Sequence, residues 1–294
     1  MRFLTGHSQE AFLMVHGGAG PMDPSETGIL AATETLRKIA RVVSDRDSSA
    51  PNLSFATAVL AGLEDDEQFN AGYGSALQAD GQPRLSAALM DGDSLSFSGV
   101  ISVSDVQNPS RLALKLQKSS SRVLTEPGAT RLARKLGFPP ANLITEERFQ
   151  RWLEQREKNS PDGFDTVGVV LSRDGLVAGT STGGRGFEVP GRVSDSATVA
   201  GNYASTFAAI SLTGIGEQIV DFGVAVRIET RVRDGLSLEE ACRRTFNEAV
   251  ALGHEYGWIA ADRKGNWCIA HTTDHMTFLI KTLSGQELAS SSSR

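Results

Sequence analysis

A polar stretch, residues 138–165, runs directly into the sequence TVGVVL at 166–171. This break constrains the fold more than any other feature of the chain. The segment 166–171 is a near-continuous apolar β run, the pattern of a strand buried on both faces. Arg173-Asp174-Gly175 follows, a hairpin signal, and 176–180 reads as the returning strand. Elsewhere 84–90 and 97–103 read as paired strands, as do 257–261 and 267–271. Single strands are expected at 11–15, 198–203, 208–213 and 276–281. Helical periodicity covers 26–43, 54–63, 109–116, 126–136, 216–232 and 237–252. Residues 146–158 can form a helix, but its apolar content is thin, so 138–165 reads as an exposed linker. Strands thus come in hairpins and helices in pairs, without strict β-α-β alternation. Sheets packed together and covered by helix pairs fit best, giving an α+β, four-layer αββα sandwich as one domain over 1–294.

Composition narrows the function classes. The chain has 29 Lys and Arg against 35 Asp and Glu, a net charge of −6, which argues against a nucleic-acid partner. No apolar run approaches the roughly 18 residues of a membrane span. The apolar run at 11–15 is too short for the core of a signal peptide. Cys242 and Cys268 make neither a disulfide framework nor a CxxC site. The expectation is a cytoplasmic, reduced protein.

Several motifs resemble known sites but lack the surroundings those sites need. Gly18-Ala19-Gly20-Pro21-Met22-Asp23 half matches GxGxxG, yet Asp23 stands where a dinucleotide site needs glycine. Gly179-Thr180-Ser181-Thr182-Gly183 matches GxSxG, but the glycines and Pro190 that follow cannot form the helix of a nucleophile elbow. His271-Thr272-Thr273-Asp274-His275 lacks further ligands at metal-site spacing and reads as a polar strand end. His16 reads as a hydrogen-bonded structural histidine.

Four polar, glycine-rich clusters remain: HGGAG at 16–20, NAGYGS at 70–75, TSTGG to PGRVSD at 180–195, and TGIGE at 213–217. The break at Asp165-Thr166-Val167-Gly168 is a fifth. Glycines in loops let backbone N–H groups approach a ligand closely. With these five motifs in this order, the chain resembles the N-terminal-nucleophile hydrolases that include plant-type (type 2) asparaginases, isoaspartyl peptidases, glycosylasparaginases and taspase-type threonine proteases. The resemblance runs from about Leu13 to His271 and is weak around 119–165.

The resemblance implies that the chain is made inactive and cleaves itself between Asp165 and Thr166, giving an α chain 1–165 and a β chain 166–294. A threonine hydroxyl needs a base. The freed α-amine, with a pKa of about 7.7–8, can serve as that base. Thr182 matches the threonine that hydrogen-bonds the nucleophile. Thr213 and Gly214 match the oxyanion hole, and Asn70 the asparagine beside the nucleophile. Arg192 matches the clamp on a substrate α-carboxylate, Asp195 the partner of the α-ammonium, and Gly18 a glycine near the site. The loop 63–73 resembles a sodium loop, with carbonyls of Leu63, Glu64, Asp66, Phe69, Ala71 and Tyr73 as ligands of a structural Na+. No cofactor is implied for catalysis.

Arg192 and Asp195 together would recognise both ends of an α-amino acid, leaving a side-chain amide to be cut. L-Asparagine and β-aspartyl dipeptides fit as substrates. Glycosylasparaginase-like or taspase-like specificity, and an unprocessed non-catalytic homologue, are the alternatives. The family also implies a homo-oligomer, a dimer of α/β heterodimers. Four departures stand out. Asp165 precedes the nucleophile position, as in glycosylasparaginases and the taspase type, where many isoaspartyl peptidases have glycine. Ser194-Asp195-Ser196-Ala197 replaces the usual Gly-Asp-Ser-Pro, which should loosen the loop holding Asp195. Thr272-Thr273-Asp274-His275-Met276 replaces Asn-Thr-x-Gly-Met, and RVLTEPGA at 122–129 lacks its leading histidine.

Overall fold

The computed structural model describes residues 1–19, 26–46, 49–158 and 166–291. Residues 20–25, 47–48, 159–165 and 292–294, with Gly20 to Asp23 of the GxGxxG match and Asp165, lie outside them.

Two sheets dominate. The eight-stranded sheet has at its centre β2 (Phe12–Ala19), β6 (Val167–Ser172), β7 (Leu176–Thr182) and β3 (Leu85–Asp91), side by side in that order. Beyond β3 lie β4 (Ser96–Val103) and β5 (Val123–Thr125). Beyond β2 lie β12 (Met276–Thr282) and β13 (Glu287–Ser290). The five-stranded sheet has the order β1 (Arg2–His7), β11 (Asn266–His271), β10 (Tyr256–Asp262), β9 (Ala208–Gly214) and β8 (Asn202–Ala204).

The alternation of side chains along a strand assigns the faces. On β2 and β6, Leu13, Val15, Val167, Val169 and Leu171 pack with Leu36 of α1 (Glu26–Arg46) and with Val59, Leu60 and Leu63 of α2 (Asn52–Glu64). The opposite set, Phe12, Met14 and Val170, meets Ile259, Trp267 and Ile269 of the other sheet. The far face of the five-stranded sheet, with Ile210, Leu212 and Trp258, packs on α7 (Val224–Arg233) and α8 (Leu238–Leu252). Truncating a buried leucine such as Leu60 to alanine would cost about 2–5 kcal/mol.

Most expected elements are present, and the differences have local causes. The strand beginning near residue 11 continues through His16-Gly17-Gly18-Ala19, where a loop was expected, because β12 pairs with it across a bulge between Thr277 and Phe278. The expected helix 216–232 is two helices, α6 (Gly216–Phe222) and α7. Gly223 between them has φ 56°, which ends the first helix. The expected strand 198–203 shrinks to β8, because a turn closed by Thr198 N donating to Asp195 O (2.8 Å) takes its first half. The edge strands β1, β5 and β13 gave no clear pattern in the sequence.

The linker helix also departs from expectation. α5 (Glu146–Lys158) forms over the range its sequence allows, but it is docked. Arg148 and Gln155 are buried, and the Trp152 indole donates to the carbonyl of Gln78 at 3.0 Å. Cys242 and Cys268 are both free and buried.

Candidate active site

β6 starts at Val167, so Thr166 stands immediately before the first residue of a central strand of the larger sheet. Thr166 is buried, and its Oγ1 donates to Thr182 Oγ1 at 3.2 Å. Thr182 ends β7, the hairpin partner of β6, so the Asp-Gly turn at the far end of the hairpin fixes this pairing. The Thr166 nitrogen donates to Thr213 Oγ1 at 3.3 Å. Thr213 is near the end of β9 in the other sheet. The Ala19 nitrogen also donates to Thr213 Oγ1, at 3.1 Å, bringing the end of β2 and its Gly18 to the same point. A hydroxyl has two lone pairs and one proton. Two N–H groups occupy the acceptor side of Thr213, which leaves its hydroxyl proton to be donated elsewhere. Gly214 follows with φ 133°, and a Cβ there would lie 2.5 Å from Tyr256 Cα.

A polar seam between the sheets supports this arrangement. His16 Nε2 lies 2.9 Å from Ser211 Oγ, and Thr180 Oγ1 lies 2.8 Å from the same hydroxyl. Burial pushes the His16 imidazole down to about 3, partly offset by the Thr166 carbonyl, so the ring is neutral. His16 is therefore the structural histidine expected. Gly168 leaves room for the seam, since a Cβ there would lie 2.0 Å from Ser211 Oγ.

Asn70 braces the turn after Thr182. Its Nδ2 donates to Gly184 O at 2.6 Å, and its carbonyl accepts from Gly183 N at 2.9 Å. Ser181, the serine of the GxSxG match, donates to Glu64 Oε1 at 2.7 Å and is committed to the core. Glu64 also accepts from the nitrogen and hydroxyl of Ser110, at the start of α3 (Pro109–Leu116). Burial pushes this carboxyl up to about 7, and its hydroxyl and N–H donors pull against that. Glu64 thus uses its side chain to join two helices and β7. The sequence had pointed only to its carbonyl.

Arg192 and Asp195 come together across Gly216. A Cβ on Gly216 would lie 2.7 Å from Asp195 Oδ1 and 3.0 Å from Arg192 Nη2. Asp195 is buried. Its Oδ1 accepts from the Ser194 hydroxyl at 3.1 Å, and its Oδ2 has no hydrogen-bond partner among the described residues. Burial pushes its carboxyl up to about 7. The loop is not loosened by its departure from Gly-Asp-Ser-Pro. Thr198 Oγ1 and N both bind the Asp195 carbonyl, and Ser194 adds a donor that glycine lacks.

Arg192 is already engaged by two carboxylates that sequence reasoning missed. Glu217 takes Nε (2.6 Å) and Nη2 (2.8 Å), and Glu188 takes Nη1 (2.7 Å). The Arg192 guanidinium holds the Glu217 carboxyl below its ordinary range. Glu217 was within reach of the sequence, since it closes the TGIGE cluster.

In and beside the 63–73 loop, two glycines pack closely on backbone carbonyls. A Cβ on Gly72 would lie 2.2 Å from Glu64 O, and one on Gly74 would lie 2.2 Å from Phe69 O and 2.4 Å from Glu67 O. Oxygen donors in such a turn suit a hard cation. The carbonyls of Leu63, Asp66, Phe69 and Ala71 also accept backbone N–H groups within the loop. At the end of β11, His271 Nδ1 donates to Thr273 O at 3.0 Å, and burial pushes its pKa down to about 4. Among the described residues, no helix is long and apolar enough to cross a membrane.

Comparison with known proteins identifies the family. Residues 9–288 match the asparaginase 2 family, described as asparaginase. An isoaspartyl peptidase/L-asparaginase of a Nostoc species is 45% identical over 284 residues, covering 89% of each chain. A plant-type L-asparaginase of Pyrococcus horikoshii is 33% identical, covering 90% of this chain and 94% of the relative. An isoaspartyl peptidase/L-asparaginase of Rattus norvegicus is 34% identical, covering 90% and 84%. The chain belongs to the asparaginase family of hydrolases.

Proposed function

We propose that the chain cleaves itself between Asp165 and Thr166 and then hydrolyses β-aspartyl amides, L-asparagine and isoaspartyl dipeptides, through an ester on Thr166. One observation carries this reading. The Thr166 hydroxyl sits on Thr182 at 3.2 Å while its nitrogen sits on Thr213 at 3.3 Å. The fold that goes with it is the αββα sandwich of N-terminal-nucleophile hydrolases. The packing of α1 and α2 on one sheet and α7 and α8 on the other supports that assignment.

In maturation, Thr166 Oγ1 attacks the Asp165 carbonyl, its proton passes to the Thr166 nitrogen, and the C–N bond breaks. Water hydrolyses the resulting ester and leaves a free α-amine on Thr166. In turnover that amine takes the hydroxyl proton, and Oγ1 attacks the side-chain amide of the substrate. Thr213 and Gly214 stabilise the oxyanion, a contribution of roughly 3–4 kcal/mol per donor. The leaving ammonia or amine takes the proton, and water then releases aspartate.

Asp195, with its unpartnered buried oxygen, binds the substrate α-ammonium. Arg192 binds the α-carboxylate, which replaces the half-exposed Glu217. A partner for a free α-amine favours a small amino-acid substrate over a site within a protein. A Na+ held by carbonyls of the 63–73 loop would brace that loop and take no part in the chemistry.

The test is steady-state hydrolysis of L-asparagine and of β-aspartyl dipeptides, beside Thr166→Ala. Turnover of both by the native chain and of neither by the variant supports the proposal. Activity confined to glycosylated asparagine or to a protein substrate would redirect the specificity. An inert native chain would overturn it.

A further inference from the structure

The two carboxylates on Arg192 differ in a way that points beyond the proposed chemistry. Glu217 is exposed over 54% of its side chain, whereas the Glu188 side chain is 5% exposed. Glu188 is also held on all sides. Its Oε1 accepts from Gln78 Nε2 at 2.8 Å, and its Oε2 accepts from the Arg185 nitrogen at 2.9 Å as well as from Arg192. A Cβ on Gly184 would lie 2.3 Å from Oε1, so the carboxylate packs directly on a glycine that leaves it room.

Gln78 is 1% exposed and spends its whole amide on this region. Its Oε1 accepts from Gly191 N at 3.1 Å and from Arg84 Nη1 at 2.7 Å. Backbone bonds join the same two loops, Phe187 N to Leu77 O (2.7 Å) and Ala79 N to Glu188 O (2.8 Å). The Gln78 carbonyl receives the Trp152 indole of α5. A continuous series of contacts therefore runs from α5 through Gln78 and Glu188 to Arg192. Buried polar groups satisfied this fully hold a side chain in one geometry.

We propose that Glu188, fixed by Gln78, is a positioning residue that aims the Arg192 guanidinium at the substrate α-carboxylate and so sets the preference for substrates with that group free. This rests on the assignment of Arg192 as the carboxylate clamp. When substrate arrives, Glu217 gives way and Glu188 stays. The guanidinium then keeps its orientation through turnover. The Thr166 chemistry does not involve Glu188.

The test compares L-asparagine with its α-methyl ester, which lacks the α-carboxylate, in Glu188→Gln, Gln78→Met and Arg192→Met. Self-cleavage before Thr166 reports that each variant has folded, and Gln78→Met alone decides if Glu188→Gln does not mature. The expected result is a rise of about tenfold or more in KM for L-asparagine in both Glu188→Gln and Gln78→Met. Their kcat should change far less, and the ester kinetics should stay near those of the native chain. The preference for asparagine over ester then collapses, as it does in Arg192→Met. If Arg192→Met loses the preference while Glu188→Gln and Gln78→Met keep it, the positioning role is wrong. Equal losses for both substrates in those two variants would mark a merely structural role and overturn it too. If Arg192→Met itself keeps the preference, the clamp assignment fails instead.

Discussion

The nitrogen of Thr166 and the hydroxyl of Thr213 meet at 3.3 Å across the gap between the two sheets. One residue precedes β6 of the larger sheet and the other lies in β9 of the smaller, so the packing of the sheets itself assembles the site. Thr213→Val keeps the shape and removes the acceptor shared by Thr166 and Ala19. Self-cleavage and turnover should each slow by about 100-fold or more, with a stability loss of about 1–3 kcal/mol from the unpaired N–H groups. Thr213→Ser should retain most of both. Mass spectrometry of maturation and urea unfolding check the two parts.

As the proposed partner of the substrate α-ammonium, Asp195 should make substrate binding depend on pH. Burial raises its carboxyl to about 7, and only the ionised form attracts an ammonium. KM for L-asparagine should fall about tenfold between pH 6 and pH 8, as the carboxyl ionises. Asp195→Asn should raise KM and flatten the profile. The stability effect has the opposite sense. This acid holds its proton more tightly folded than unfolded, so stability is greatest below the ordinary carboxyl range and is lost as pH rises towards 7. Asp195→Asn should therefore be more stable than the native chain at pH 8, by up to a few kcal/mol.

Glu217 holds Arg192 Nε and Nη2, the donors that the proposed substrate α-carboxylate would take. Glu217→Gln weakens that competition without disturbing Glu188. The expected result is a KM for L-asparagine lowered a few-fold, with kcat nearly unchanged. A raised KM would show instead that Glu217 supports the clamp.

Gly168 faces the seam between the sheets at a position where a Cβ would lie 2.0 Å from Ser211 Oγ and 2.1 Å from His16 Nε2. Gly168→Ala should destabilise the fold by about 1–3 kcal/mol through overpacking. It should also block maturation, because Thr166 is two residues away. Thermal unfolding beside Thr166→Ala, a second uncleaved chain, separates the packing effect from the lack of cleavage.

The parts of the molecule legible in the sequence are those with strong local signals. TVGVVL and the glycine clusters carried the family resemblance that pointed to Thr166, Thr182 and Thr213, and the structure brings these three into hydrogen-bond contact. PGRVSD pointed to Arg192 and Asp195, which converge on Gly216. Gln78, Glu188 and the Glu64 side chain were not legible in their roles. A polar residue in a loop reads as solvated, and only tertiary packing buries it. The same holds for α5, whose sparse apolar residues include the one tryptophan that docks it on Gln78. The edge strands β1 and β13 pair along one side only, so selection for a clean pattern is weak there.

The central claim is that Thr166 becomes the N-terminus of a second chain. The most direct measurement is the intact mass of the purified protein, fresh and after days at neutral pH, beside Thr166→Ala. The account predicts two chains, residues 1–165 and 166–294, in the native sample, and one uncut chain in the variant. A single uncut chain in both samples would contradict it.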